Sequence, residues 1–132
     1  MVNNKPLLFK PEYASSLLTI AKGDLATAAA LIQSPNPGRL ENIYYMIQQS
    51  VEKAIKSVLV KNQIPFPMVH DLGILIALLP STKYPPGGFD WTALNPYASI
   101  RRYEEGNLPI SMDEVKIAYD AALEVMKWAE VN

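Results

Sequence analysis

The sequence predicts an all-α fold, an up-down antiparallel bundle of about five helices. Three observations carry this. Apolar residues recur at helical spacing in three long stretches. The cleanest of them, Leu40 to Lys61, contains no glycine or proline. The stretches are separated by turns and loops marked by proline and glycine, and the first turn is short enough to force an antiparallel hairpin.

The helix from Leu40 to Lys61 organises the rest. Leu40, Ile43, Tyr44, Ile47, Val51, Ala54, Ile55 and Val58 fall at i, i+3, i+4, i+7 and predict one buried stripe. The other side carries Gln48, Gln49, Glu52, Lys53 and Lys56 and is expected to face solvent. There the i, i+4 pair Glu52–Lys56 adds only ~0.3 kcal/mol.

In chain order, residues 1–11 read as an extended arm and residues 12–132 as a single helical domain. Leu7, Leu8 and Phe9 are apolar, so the arm is expected to pack on the body of the fold or on a partner, the body being favoured. Tyr13 to Gln33 is helix one, with Leu17, Leu18, Ala21, Leu25, Ala28, Ala29 and Ile32 in period. Gly23 inside it costs up to ~1 kcal/mol relative to alanine. The small residues Ala26 to Ala30 suit close packing against helix two. Ser34-Pro35-Asn36-Pro37-Gly38 stops the helix. After helix two, Ile64-Pro65-Phe66-Pro67 is extended, because each proline disfavours helix before it, and Phe66 is expected to close the bundle's end.

Asp71 caps helix three, which should run to Leu79 before Pro80. Leu72, Leu75, Ile76 and Leu79 form one face, but Ile74, Ala77 and Leu78 populate the other, so the helix is either central in the core or partly covered by a second subunit, the latter being favoured in so small a domain. Pro80 to Phe89 is a loop. Asp90 caps helix four, with Trp91 and Leu94 inward, and a kink or restart is expected at Asn95–Pro96, with Asn95 as cap and Pro96 at the first helical position. Tyr97, Ile100 and Tyr103 continue inward, and Arg101 and Arg102 complement the carboxyl end of the dipole. A loop from Glu104 to Ile110 follows. Ser111-x-x-Glu114 is a capping box, opening helix five to about Val131, with Val115, Ala118, Tyr119, Ala122, Val125, Met126 and Ala129 in period. The tryptophans and tyrosines are expected in the core.

Composition narrows the chemistry. The 132 residues carry a net charge of −1 and no cysteine, so neither disulfides nor thiol catalysis is available. With one histidine, a zinc site would need at least three carboxylate ligands, and no metal or cofactor is expected. The amino terminus does not read as a signal peptide, and no run of ~18 apolar residues predicts a membrane span. The expectation is a soluble, cytoplasmic protein without membrane contact. There is no P-loop, no dinucleotide fingerprint and no Ser/His/Asp order.

Four segments resemble those of the HEPN (higher-eukaryote and prokaryote nucleotide-binding) domain family. Gln48-Gln49-Ser50-Val51-Glu52-Lys53-Ala54-Ile55-Lys56 is similar to the family's second-helix signature. His70-Asp71-Leu72 resembles its His-Asp-Leu. Leu94-Asn95-Pro96-Tyr97-Ala98 followed by Arg102-Tyr103 resembles its Pro-Tyr-Ala and Ala-Arg-Tyr-Pro segments, with Arg101 in place of the small residue and Glu104 in place of the proline. The family's last helix likewise begins after Ser/Thr-x-x-Glu. The order and spacing agree across helices two to five, and the implied fold is the same helical bundle.

Many family members resemble metal-independent ribonucleases with an Arg, four to six residues, then a His. That spacing is absent: the only histidine is His70, and none follows Arg101 or Arg102. The resemblance therefore implies a non-catalytic module of the minimal, nucleotidyltransferase-associated type. It would bind a nucleotide or RNA, or a partner nucleotidyltransferase, in some pairs as toxin and antitoxin. The ligand-binding candidates are Lys53, Lys56, His70, Arg102 and Tyr103. One alternative is a diverged ribonuclease using His70 with Arg102, with catalysis by proton transfer and phosphate clamping. Another is a structural homodimer joined through helix three. For each candidate the ordinary role is structural: a helix-end histidine, a C-terminal cap, a solvated lysine face.

Overall fold

The computed structural model describes residues 5–98 and 110–132. Expectations for Ile100, Arg101, Arg102, Tyr103 and Glu104 lie outside those residues. The fold is all-α. Helix α2, Leu40–Lys61, is its axis. Its apolar stripe is buried as expected, from Ile43 and Tyr44 through Ile47, Val51, Ala54, Ile55 and Val58. The polar side is not the solvated face that was expected. Gln48, Ser50, Glu52, Lys56 and Ser57 are buried too, and every residue from Ala54 to Val60 is enclosed. A helix covered all round is a central helix. Helix α1, Tyr13–Gln33, and helix α4, Met112–Val131, pack against it, and the segment after α2 covers the remaining side.

α1 presents Ala14, Leu17, Ala21, Leu25 and Ala28 to the core, a single stripe at helical period. Of the alanine-rich run only Ala28 is fully buried, whereas Ala26 and Ala30 are exposed, so close packing is confined to one residue per turn. By length and a mean hydropathy of 1.2, α1 is the one described helix long and apolar enough to cross a membrane. Lys22 and Asp24 sit mid-helix, where a bilayer would penalise charge, and its apolar stripe is already occupied by α2 and α4.

A Cβ at Gly23 meets nothing within 4 Å, so this glycine permits no close approach. Gly23→Ala is expected to raise stability by up to ~1 kcal/mol, through helix propensity and a less flexible unfolded chain. A urea unfolding midpoint that stays at or below the parent value would contradict it.

Gly38, at φ 72°, turns the chain between α1 and α2. The two helices are antiparallel, as expected. α2 ends in a Schellman motif: Ile64 N donates to Leu59 O at 2.9 Å and Gln63 N to Val60 O at 3.0 Å. Gln63 takes the left-handed position at φ 54°, where glycine is usual. The next residues run extended to Phe66, which is buried. Leu7 and Phe66 exchange backbone hydrogen bonds of 2.9 and 3.1 Å, and the rings of Phe9 and Phe66 stack at 4.9 Å. The arm thus lies on the body of the fold.

Helix α3 spans Leu72–Ala77, ending short of the expected Leu79. Asp71 caps it as expected, accepting from Ile74 N at 3.1 Å. Leu72, Leu75 and Leu79 are buried, while Ile74 and Leu78 are exposed. The expected fourth helix is a 3₁₀-helix, Trp91–Ala98, with Pro96 inside it and Trp91 and Leu94 buried. The anticipated restart at Asn95 does not occur. Its side chain instead accepts from Leu72 N at 2.9 Å, satisfying a free amide at the start of α3. Gly73 allows this approach: a Cβ there would lie 3.1 Å from Thr92 Cγ2.

Ser111 caps α4 through Glu114 N at 3.1 Å. Val115, Ala118, Ala122, Val125, Met126, Trp128 and Ala129 are buried. α4 runs in the same direction as α2. Lys61 and Asn62, at the end of α2, donate to the carbonyls of Ala129 and Asn132 at the end of α4. Burial holds the Lys61 ammonium below its usual range. The tyrosines divide rather than all joining the core: Tyr44 is buried, whereas Tyr13 and Tyr84 are exposed. Burial pushes the Tyr44 phenol up to about 12, with Glu114 and Tyr97 adding to it.

Candidate functional site

Gln48, Glu52 and Lys56 stand at i, i+4 and i+8, one stripe along α2 beside the apolar one. The rigid segment after α2 folds back over this stripe and delivers His70 to it. Glu52, 3% exposed, accepts from Gln48 Nε2 at 3.1 Å and from Lys56 Nζ at 2.9 Å. His70 Nδ1 lies 3.0 and 3.1 Å from its two carboxylate oxygens. Gln48 Nε2 also donates to the His70 carbonyl at 2.9 Å, so one amide holds both partners.

The network continues along the helix. Gln49 Nε2 donates to Gln48 Oε1 at 2.7 Å, and Lys53 Nζ donates to Gln49 Oε1 at 2.8 Å and to Asp24 Oδ2 of α1 at 3.2 Å. Lys56 Nζ also lies 5.8 Å from the centre of the Phe66 ring. A buried carboxylate is tolerable here because each oxygen is paired and hydrogen-bonded. The expected surface pair worth ~0.3 kcal/mol is therefore corrected: Glu52–Lys56 is a buried ion pair whose members depend on each other.

Above this network opens a cleft of about 220 Å³. Phe9 from the arm, Tyr13 and Leu17 from α1, and Phe66 and Met68 form its apolar walls; Gln49, Glu52, Lys53, Lys56 and His70 are its polar groups. A second groove, between α1 and α4, is lined by Lys22, Leu25, Tyr119, Leu123 and Met126 among others and holds no histidine.

Of the residues singled out from sequence, the fold brings Lys53, Lys56 and His70 to one cleft. Arg102 and Tyr103 lie outside the described residues. The three differ in what they offer. The His70 side chain is 69% exposed and that of Lys53 is 22% exposed. The Lys56 ammonium is enclosed and engaged by Glu52. Sequence reasoning missed Gln48 and Glu52 as site residues, and Phe9, Tyr13 and Met68 as walls. The i, i+4, i+8 polar stripe was visible in the sequence; that something would cover it was not.

Among the described residues, charge in and around the cleft is balanced, Lys53 and Lys56 against Asp24 and Glu52, and these form no cationic trough for a long polyanion. Among the described residues no cluster of three or more His, Asp or Glu is placed to hold a metal ion. The arrangement suits a compact ligand with a flat or apolar part and a few polar groups.

Searches of curated proteins and of solved structures return no match to the chain. The family model of the HEPN domain matches residues 14–132, from the start of α1 through α4. That span contains the Gln48–Lys56 signature and His70-Asp71-Leu72, the segments that build the cleft. The chain belongs to the HEPN domain family.

Proposed function

We propose that this HEPN domain is a non-catalytic binding module that holds a nucleotide, free or at the end of a polynucleotide, in the cleft over α2. Membership in the family associates the chain with nucleotide- and RNA-related modules in general. The single observation that carries the finer reading is the convergence of Lys53 and His70 on one cleft walled by Phe9, Tyr13 and Phe66. Tyr13 and the partly exposed Phe9 give a base a stacking surface, over the buried Phe66. An ammonium has three donors; Asp24 and Gln49 take two from Lys53, which leaves one for a phosphate oxygen. The absence of an Arg-x4-6-His spacing weighs against the ribonuclease alternative. In the minimal, nucleotidyltransferase-associated type, a nucleotidyltransferase would be the protein partner, with toxin–antitoxin pairing as one setting. Ile74 of α3 and Leu78 just after it, both exposed, are the residues through which a homodimer would form.

Isothermal calorimetry with AMP and with a short oligoadenylate tests the binding reading. The parent is expected to bind, and Lys53→Ala to weaken binding about tenfold, or ~1.4 kcal/mol, while the unfolding midpoint changes little. A parent that binds neither probe removes the basis of the proposal.

A further inference from the structure

The polar groups of the cleft divide into donors and acceptors, and one acceptor is distinctive. Lys53 and Lys56 only donate. The Glu52 carboxylate is occupied by Gln48, Lys56 and His70. An ionised carboxylate only accepts, so the His70 nitrogen facing it, Nδ1, carries the proton. In the neutral imidazole the lone pair then resides on Nε2. Among the described residues nothing engages Nε2, and the His70 side chain is 69% exposed at the cleft. The ring is anchored from both directions, by Glu52 at Nδ1 and by Gln48 at the backbone carbonyl. A buried carboxylate, itself fixed on two sides, is thus spent on orienting an exposed imidazole. A helix-end histidine with only a packing role needs no such backing.

We infer that His70 Nε2, oriented by Glu52, is the specificity-determining acceptor of the cleft, and that it takes a hydroxyl donor from the ribose of the bound nucleotide. This rests on the nucleotide reading above. Glu52 is a positioning residue that acts through His70. A base stacked on Tyr13 and the partly exposed Phe9, with its phosphate toward Lys53, leaves the sugar as the part that meets His70. The 2′-hydroxyl is the donor that a deoxyribose lacks, so the cleft discriminates ribonucleotides from deoxyribonucleotides. The discrimination is about tenfold, the scale of one neutral hydrogen bond at a partly exposed site.

The test is calorimetry of the full chain with AMP and with dAMP, on the parent and on His70→Ala. The exposed His70 side chain makes this variant compatible with the fold. AMP is expected to bind the parent about tenfold tighter than dAMP. In His70→Ala, AMP should fall to the dAMP value while dAMP is unchanged. In parallel, long-range proton–nitrogen NMR of the parent, at a pH where His70 is neutral, should show the Nδ1–H tautomer. Equal binding of AMP and dAMP by the parent overturns the inference and leaves the nucleotide reading standing. Discrimination that survives in His70→Ala, or an Nε2–H tautomer, also overturns it. Absence of binding for both nucleotides overturns the binding reading and this inference together.

Discussion

Glu52→Ala is expected to destabilise the protein by about 3–5 kcal/mol, the cost of stranding a buried charge. The variant leaves the Lys56 ammonium enclosed without its carboxylate, and the Gln48 amide without one of its two acceptors. What remains near Lys56 is the face of Phe66, and a cation–π contact does not replace an ion pair. Against a total stability of about 5–15 kcal/mol the loss is large enough to leave a substantial fraction unfolded. The double variant Glu52→Leu with Lys56→Met removes both charges and fills similar volume. It is expected to stay within about 1–2 kcal/mol of the parent, because desolvation of the pair offsets most of its attraction. Urea unfolding followed by circular dichroism measures all three proteins. A single variant costing under about 1 kcal/mol would show that the pair is solvated in solution and that the cleft has no buried floor.

The second large effect is expected at Phe66. This side chain is buried, stacks on Phe9 and lies beneath Lys56. Phe66→Ala should cost about 3–5 kcal/mol, the transfer term plus the cavity left behind. It should also act at a distance along the chain. The backbone bridge to Leu7 survives the substitution on paper, but the ring that holds Phe9 is gone, and two backbone hydrogen bonds alone hold the arm weakly. Hydrogen exchange at the Leu7 amide is therefore expected to approach the unprotected rate in the variant while α2 core amides keep partial protection. If the Leu7 amide and the α2 core lose protection in step, the arm is part of the global unfolding unit rather than a strap held by one ring.

Both effects depend on features of different legibility. The apolar stripes of α1, α2 and α4 could be read directly, and so could the caps at Asp71 and Ser111. Each of these is a relation between residues three or four positions apart, and local chain geometry settles it. The Gln48–Lys56 segment and His70-Asp71-Leu72 were also recognisable as family segments, and three of the candidate residues drawn from the resemblance line one cleft. The polar side of α2 was misread because a solvated and a covered polar stripe have the same pattern. Asn95 was misread for a related reason. An asparagine before a proline fits a local cap, and its use by Leu72, 23 residues away, depends on how the 3₁₀-helix lies against α3.

By itself, the sequence determined that this chain is helical, where its main helices lie, which stripes are apolar and to which family it belongs. Only the tertiary structure decided that a polar stripe would be buried, that His70 would meet a carboxylate 18 residues earlier, and that an arm and a phenylalanine would wall the cleft between them. The physical reason is range. Helical period arises from neighbours one turn apart, whereas the cost of a charge depends on whatever distant segment removes its water.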